Sequence, residues 1–214
     1  MGKNNYNQKT PWLTIIITVV VVFGLGYFLV KNSPKDTSQP SLAPNMHGSP
    51  GASNTEQLNS LLGKPLPNIQ LADKDGKTYN SAGFKGKYTV LFFNEGLMCY
   101  PACWNQMASF GSDQRFNNGE IQAISVVTDS ARDWETAITK MPGLAKANTM
   151  FDEGANASRQ LGMLSTNSSM HRGSLPGHTY IVVDKDGIVR YVFDDPNMAI
   201  ANDMLFNKIQ KLNK

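Results

Sequence analysis

Cysteine and histidine are scarce in this sequence, with two cysteines and three histidines among 214 residues. So few sulfur and imidazole ligands argue against a structural zinc site, which usually takes four protein ligands. A strong charge of one sign is also lacking, because 20 basic and 17 acidic residues leave a net charge of only +3. This weak and scattered charge argues against nucleic acid as a partner. No internal repeat is present, which argues against a repeat architecture.

A long uncharged segment lies near the start of the chain. Residues 12–30 contain no charged side chain, and Trp12 and Tyr27 lie toward its two ends. About 20 apolar residues span the core of a bilayer as a helix, and aromatic residues often lie at its interfaces. A cleaved signal peptide would have a shorter apolar region, of about 7–15 residues, and a small-residue cleavage site. The segment therefore predicts one uncleaved transmembrane helix that contacts the lipid bilayer.

The charges beside this segment predict its orientation. Lys3 and Lys9 precede it without any acidic residue, which favours a cytoplasmic N-terminus and an extracytoplasmic remainder at the cell membrane. Disulfides persist in such a compartment. The predicted organisation is a tail (1–11), a single-pass anchor (12–30), a flexible linker rich in Ser, Pro, Asn and Gly (31–56) and one domain (57–214).

Strand and helix patterns alternate through residues 57–214. Two turn signals predict β-hairpins: Asp75-Gly76 between strands at 69–71 and 77–79, and Asp184-Lys-Asp-Gly187 between strands at 179–183 and 188–193. The other predicted elements are strands at 88–93, 120–127 and 148–151, and helices from Cys99 or Tyr100, from a cap at Asp129 or Ser130, at 155–161 and at 199–212. The last helix is predicted to be amphipathic, with one apolar side formed by Ile200, Met204, Leu205, Ile209 and Leu212. This order predicts an α/β fold with a mixed central sheet, helices on both faces and an N-terminal hairpin extension.

Cys99 and Cys103 lie where the strand predicted at 88–93 runs into a helix. Residues at i and i+4 share one face of a helix, with Cα atoms about 6 Å apart, which is within reach of a disulfide. The same two sulfurs could instead hold a soft metal ion. The start of a helix favours the thiolate, and Cys99 is expected to be nearer that end and the more exposed. A purely structural disulfide is a weaker alternative, because so short a loop gains little chain-entropy stabilisation.

Four segments follow one another in the order seen in a known superfamily. GKPLPNIQLADKDGKTY resembles its opening hairpin, GKYTVLFFN the strand before its active site, FDEGANASRQLGM a short helix that ends at glycine, and HTYIVVDKDGIVRYVF its closing hairpin. Together they resemble the thioredoxin fold, and within it the peroxiredoxin and redoxin superfamily, over roughly residues 60–214. The resemblance implies a thioredoxin-like fold and thiol redox chemistry.

The cysteine spacing departs from each group within this superfamily. Tyr100-Pro-Ala-Cys103 is similar to the Thr-Pro-x-Cys end of the peroxiredoxin motif, which would place Cys103 at the peroxide-reactive position. Tyr100, however, stands where that motif has its threonine. Thioredoxin-like reductases have C-x-x-C, which is one residue shorter. The C-x-x-x-C spacing is similar to that of the Sco family, whose membrane-anchored members bind copper through two cysteines and a distant histidine.

His178 is the third candidate residue of the site. By the same resemblance, its place at the mouth of the penultimate strand faces the cysteines. There it would act as a proton donor and acceptor, as a cation that stabilises a thiolate, or as a third copper ligand. Burial beside the strand without a chemical role is the alternative. Glu95 is interpreted as a solvated loop carboxylate rather than a proton relay, and Trp104 as a core aromatic beneath the motif.

The leading hypothesis is an enzyme, a membrane-tethered extracytoplasmic thiol oxidoreductase or thiol peroxidase that needs no cofactor. Cys99 and Cys103 would cycle between dithiol and disulfide, with His178 assisting, while the enzyme reduces a protein disulfide or a peroxide with electrons from an unidentified donor. The alternative is a Sco-like copper-binding chaperone that uses the same three residues. A third hypothesis is a redoxin domain that serves only as an interaction module.

Overall fold

The structure is a computed structural model that describes residues 55–213. The predicted tail, the predicted anchor at 12–30 and nearly all of the predicted linker lie outside these residues. Within the described part of the chain, no helix has both the length and the apolar character needed to cross a membrane. The first helix begins at Thr55, so helical structure includes the last two residues of the predicted linker.

The described chain alternates short strands and helices. The strands are β1 (Gln70–Ala72), β2 (Thr78–Asn80), β3 (Tyr88–Phe93), β4 (Ile121–Val127), β5 (Thr149–Phe151), β6 (Thr179–Val183) and β7 (Val189–Asp194). The α-helices are α1 (Thr55–Asn59), α2 (Ala102–Ser112), α3 (Ala131–Lys140), α4 (Asn156–Gln160) and α5 (Asn202–Leu212). Short 3-10 helices lie between them at Ser81–Phe84, Gly96–Met98, Gln114–Phe116, Pro142–Lys146 and Met163–Ser165.

All of these strands belong to one sheet, in the order β2-β1-β5-β4-β3-β6-β7. β3 pairs in parallel with β4, and β4 pairs in parallel with β5. β6 runs antiparallel to both β3 and β7, and β1 runs antiparallel to both β2 and β5. The sheet is therefore mixed, as predicted, and the β1–β2 hairpin extends one edge of it.

β3 lies inside this sheet and contributes to both layers of the core. All six of its residues are buried. Because successive side chains of a strand point to opposite faces, Val90 and Phe92 join the core beneath α2, α3 and α5. Leu91 and Phe93 join the second core, which includes Leu58 at the start of the described chain. Helices cover both faces, which explains why β3 is a continuous apolar run rather than an alternating one.

The last helix ends at Leu212 as predicted, but its start differs from the prediction. α5 begins at Asn202 rather than at residue 199. The Asp195 carboxylate accepts hydrogen bonds from the backbone N–H groups of Asn197 and Ala199, and these hold the preceding chain in a turn. Ile200 is therefore outside the helix and 60% exposed, and Leu212 is exposed as well, against the prediction that both lie on its apolar side. Leu205 and Ile209 are buried as predicted.

Candidate active site

A tight loop follows β3 and carries the first cysteine. Gly96 has φ +57°, a conformation that favours glycine, and an added Cβ there would overlap the Asp129 carboxylate. That carboxylate accepts a 3.0 Å hydrogen bond from the Leu97 N–H, and burial raises the pKa of Asp129. The indole Nε1–H of Trp104 donates to the Gly96 carbonyl at 3.0 Å, so this buried aromatic side chain also holds the loop from below.

Cys99 and Cys103 are joined by a disulfide, with their Cα atoms 5.4 Å apart. Both are buried, at 3% and 0% exposure, so the expected difference in exposure between them is very small. The Cys103 N–H donates a 3.0 Å hydrogen bond to the Cys99 carbonyl, which closes the backbone turn between the two residues. The pair is thus held in a bonded geometry at the end of β3.

The start of α2 corrects one prediction about this pair. The helix begins at Ala102, with Pro101 at its cap, rather than at Cys99 or Tyr100. The 3-10 turn Gly96–Met98 and the Tyr100–Pro101 turn occupy the place of the expected first helical turn. Cys103 is therefore the second helical residue, and the partial positive charge of the helix N-terminus acts on Cys103 rather than on Cys99.

His178 lies against Cys103. Its Nδ1 is 3.4 Å from Cys103 Sγ, and its Nε2 is 2.7 Å from the Tyr180 hydroxyl. His178, Tyr180 and Cys103 are all fully buried. The structure therefore brings together the three residues singled out from the sequence, and it adds a fourth, Tyr180.

Aromatic rings hold this histidine in place. The Phe92 ring centroid is 4.6 Å from that of His178, and Phe92 stacks on Tyr180 at 4.7 Å. Tyr180 in turn stacks on Phe193 of β7 at 6.1 Å. The imidazole is thus packed between the sheet and the disulfide, where it has little freedom to rotate.

Burial determines the charge of the histidine. Burial lowers the pKa of His178 to about 4. Asp195, the Ala199 carbonyl and Asp194 act on this pKa in the opposite direction. The imidazole is therefore neutral at neutral pH in this disulfide form. A neutral ring acts as a donor at one nitrogen and an acceptor at the other, which disfavours a resting cation among the roles considered for this residue. Burial also raises the pKa of Tyr180, so its hydroxyl keeps its proton.

Glu95 is not the solvated carboxylate that the sequence suggested. It is 1% exposed, and its carboxylate accepts hydrogen bonds from the backbone N–H groups of Met170 at 2.6 Å and His171 at 3.0 Å. The Ser169 hydroxyl lies 3.1 Å from the same oxygen. The side chain therefore ties the cysteine loop to the segment 169–171, which precedes His178 in the chain. The pattern Asn-Glu-Gly after a buried strand gave no signal of this contact.

Three large hydrophobic side chains on the loop of Cys99 and on the segment 169–171 are open to solvent. Met98, Tyr100 and Met170 are 58%, 64% and 63% exposed. A cavity of about 440 Å³ lies beside Tyr100 and is lined by Leu97, Tyr100, Trp104, Thr136 and Lys140. The sulfurs are buried, but the residues that flank Cys99 on either side in the chain face solvent.

One signal in the sequence could have revealed Tyr180. Residues i and i+2 of a strand lie on the same face, and Tyr180 follows His178 by two positions at the start of β6. A histidine that faces the cysteines therefore implies that the next side chain on that face is close to it.

The fold and the site define a thioredoxin-like domain with a disulfide where β3 leads into α2. The family model Redoxin matches residues 61–205, and the chain belongs to this family. Among curated proteins, the chain is 30% identical over 134 residues to the chloroplastic peroxiredoxin Q of Triticum aestivum. The match covers 62% of the chain and 58% of that protein, so the chain spans less than two thirds of the length of this relative. It is 23% identical over 157 residues to the peroxiredoxin Bcp of Escherichia coli, across 70% of the chain and 95% of that protein.

Solved structures show the same fold at low sequence identity. The peroxidoxin BcpB of Mycobacterium tuberculosis has a TM-score of 0.57 at 19% identity, and the match covers 70% of this chain and 96% of that one. Enterococcus faecalis AhpC has a TM-score of 0.61 at 14% identity, with 72% and 92% covered. These likenesses establish the thioredoxin-like fold.

Proposed function

We propose that the chain is a thiol oxidoreductase of the peroxiredoxin type that cycles Cys99 and Cys103 between dithiol and disulfide. The observation that carries the proposal is the Cys99–Cys103 disulfide at the β3–α2 junction, with His178 Nδ1 3.4 Å from Cys103 Sγ. Family membership and the peroxiredoxin relatives support the same chemistry. The neutral imidazole provides a proton donor or acceptor next to a sulfur without any cofactor.

The chemistry has two stages. In the oxidising stage, one thiolate attacks a peroxide oxygen, the O–O bond breaks with release of water or an alcohol, and the sulfur becomes a sulfenic acid. The other cysteine then condenses with the sulfenic acid to give the disulfide and a molecule of water. With a protein disulfide as substrate, the same stage passes through a mixed disulfide instead. In the reducing stage, a thiol of another molecule opens the disulfide again. These 214 residues hold no further cysteine, so the electrons come from a thiol outside them.

An activity assay distinguishes the two substrate classes. Full-length protein is supplied with dithiothreitol and either hydrogen peroxide or insulin, and the consumption of each substrate is followed. Turnover of either one that is lost in both Cys99→Ser and Cys103→Ser supports the proposal. Absence of turnover with both substrates, in folded and fully reduced protein, contradicts it.

We also propose that the domain is tethered outside the cell membrane. Support comes from the uncharged run at 12–30 and from Lys3 and Lys9 before it. Protease added to intact cells is expected to digest the domain while leaving the N-terminal tail protected. Recovery of the protein from the soluble fraction, without its membrane, contradicts this placement.

A second candidate function is copper carriage. The Sγ atoms of Cys99 and Cys103 and a ring nitrogen of His178 lie within 4.8 Å of one another. Two thiolates and an imidazole form a donor set suited to Cu(I), but they are free to bind it only after the disulfide is reduced. Retention of one Cu(I) by the reduced protein against a competing chelator, with loss in His178→Ala, would favour this function. Complete transfer of Cu(I) to a weak chelator excludes it.

A further inference from the structure

The hydroxyl of Tyr180 has one hydrogen-bond partner among the described residues, and that partner is His178 Nε2 at 2.7 Å. Tyr180 is fully buried. A buried hydroxyl normally donates to an acceptor, and the imidazole nitrogen is the acceptor that the geometry offers. If the hydroxyl donates to Nε2, that nitrogen carries no proton.

A neutral imidazole has its single proton on one of its two nitrogens. With Nε2 occupied as an acceptor, the proton is on Nδ1, which is the nitrogen 3.4 Å from Cys103 Sγ. We propose that Tyr180 is a positioning residue that fixes this tautomer of His178 and thereby makes Cys103 the sulfur that leaves as a thiolate when the disulfide opens. The inference rests on the redox cycle proposed above and adds the assignment of roles to the two cysteines.

The position of each sulfur favours the same assignment. Cys103 lies in the first turn of α2, where the helix N-terminus also stabilises negative charge. Cys99 lies before the helix, and its chain neighbours Met98 and Tyr100 are both exposed. An external thiol therefore approaches from the Cys99 side, while Cys103 is held beneath it against His178.

The reducing step then has defined partners. A donor thiolate attacks Cys99 Sγ and forms a new S–S bond, while the Cys99–Cys103 bond breaks and its electron pair stays on Cys103. The Cys103 thiolate accepts the hydrogen bond from His178 Nδ1–H. A second thiolate of the donor attacks the donor sulfur in the mixed disulfide, which yields the oxidised donor and the Cys99 thiolate. Two electrons have passed from the dithiol donor to the disulfide.

Tyr180→Phe tests the inference because it removes only the hydroxyl and keeps the ring that stacks on Phe92 and Phe193. Tyr191→Phe is the matched control, since Tyr191 is a partly exposed tyrosine whose ring also stacks on Phe193, at 6.3 Å. His47→Gln and His171→Gln identify the signals of the other two histidines and so assign those of His178. All variants are made in the full-length chain.

The first readout is the tautomer of His178 in protein labelled with ¹⁵N at histidine. Wild type is expected to show a protonated Nδ1 and a bare Nε2, Tyr191→Phe the same, and Tyr180→Phe a measurable shift of the proton to Nε2. A protonated Nε2 in the wild type, or an unchanged tautomer in Tyr180→Phe, overturns the inference. The wild-type measurement alone can overturn it, even if Tyr180→Phe does not fold.

The second readout is the site of a trapped mixed disulfide. Oxidised protein is treated with limiting glutathione, quenched with acid and mapped by mass spectrometry. The adduct is expected on Cys99 over Cys103 by at least about tenfold. This ratio is expected to fall several-fold in Tyr180→Phe, because the charge-assisted hydrogen bond from His178 Nδ1–H to the Cys103 thiolate is lost. Equal labelling of the two cysteines in wild type contradicts the inference. Neither readout requires turnover of a peroxide or a protein disulfide, so a negative activity assay would count against the proposed function alone.

Discussion

Glu95 Oε2 lies 3.1 Å from His171 Nδ1, and this contact joins the loop that carries Cys99 to the segment that leads into β6. The carboxylate is almost fully buried, whereas the His171 side chain is 40% exposed. Together with the backbone donors of Met170 and His171, this interaction fixes both sides of the site relative to each other.

Replacing Glu95 by glutamine is therefore expected to destabilise the domain. The amide keeps the shape but loses the charge that strengthens these hydrogen bonds, at a cost of about 1.5–3 kcal/mol in the free energy of unfolding. Denaturant titration measures the change. Glu153→Gln serves as the control because Glu153 is exposed, and it should change stability by less than about 0.5 kcal/mol. Equal stability of the two variants would show that the Glu95 interactions contribute little.

Gly96→Ala is expected to destabilise the cysteine loop. Its φ of +57° disfavours a side chain, and the new methyl group would overlap the Asp129 carboxylate. The strain and the displaced contact together should cost about 1–3 kcal/mol, seen as a lower midpoint of thermal unfolding. Gly83→Ala is the matched control, since an added Cβ there meets no atom within 4 Å. A tolerated Gly96→Ala variant would indicate a different conformation of this loop.

His178→Gln is expected to slow oxidation of the reduced protein by hydrogen peroxide at least about tenfold, because the proton donor and acceptor beside Cys103 is lost. Stopped-flow measurement of the thiol loss gives the rate. His47→Gln, in the predicted linker, should leave the rate unchanged. A His178→Gln rate equal to that of wild type would leave the histidine with a packing role only.

The free energy of unfolding is expected to depend on pH through Asp113. The Arg115 side chain, helped by Asn202, lowers the pKa of Asp113 from 3.8 to about 2. The unfolded chain therefore binds a proton at higher pH than the folded one, so the stabilisation is complete above about pH 3.8 and is lost as the pH falls toward 2.

Asp113→Asn should accordingly lower the midpoint of thermal unfolding at pH 7 by about 2–4 °C, a modest effect because solvent screens a pair whose Arg115 side chain is 39% exposed. The difference from wild type should close as the pH falls through this window. Asp75→Asn is the control, since Asp75 and its partner Lys74 are both largely exposed on the β1–β2 hairpin. A difference that persists at pH 2 would contradict the assignment.

Much of the fold could be predicted from the sequence because its buried strands are visible there as continuous apolar runs. β3 and β6 have the predicted bounds of 88–93 and 179–183, since strands buried on both faces are continuous apolar runs bordered by polar residues. Ser130 caps α3, one of the two predicted caps, by accepting a hydrogen bond from the Asp133 N–H. These features depend on residues close in the chain.

The site was only partly predictable because its remaining contacts join distant residues. The start of α2 depends on how the loop at 94–101 packs against Asp129 and Trp104. No pattern in the neighbouring sequence predicts this packing. The burial of Glu95 could not be predicted from its neighbours in the chain, because it depends on the contact with the distant segment 169–171. His178 and the cysteines were found by their residue types, whereas the distance of 3.4 Å between Nδ1 and Cys103 Sγ required the folded chain.

The proposed cycle requires that Cys99 and Cys103 form one reversible redox couple. The most direct test treats fully reduced full-length protein with one equivalent of hydrogen peroxide, then counts free thiols and maps the product by mass spectrometry. A reversible couple should lose two thiols per peroxide, form an intramolecular Cys99–Cys103 disulfide, and recover both thiols fully with dithiothreitol. Thiols that remain unreacted while peroxide persists, or oxidation that ends in a sulfinic acid without the disulfide, would contradict it.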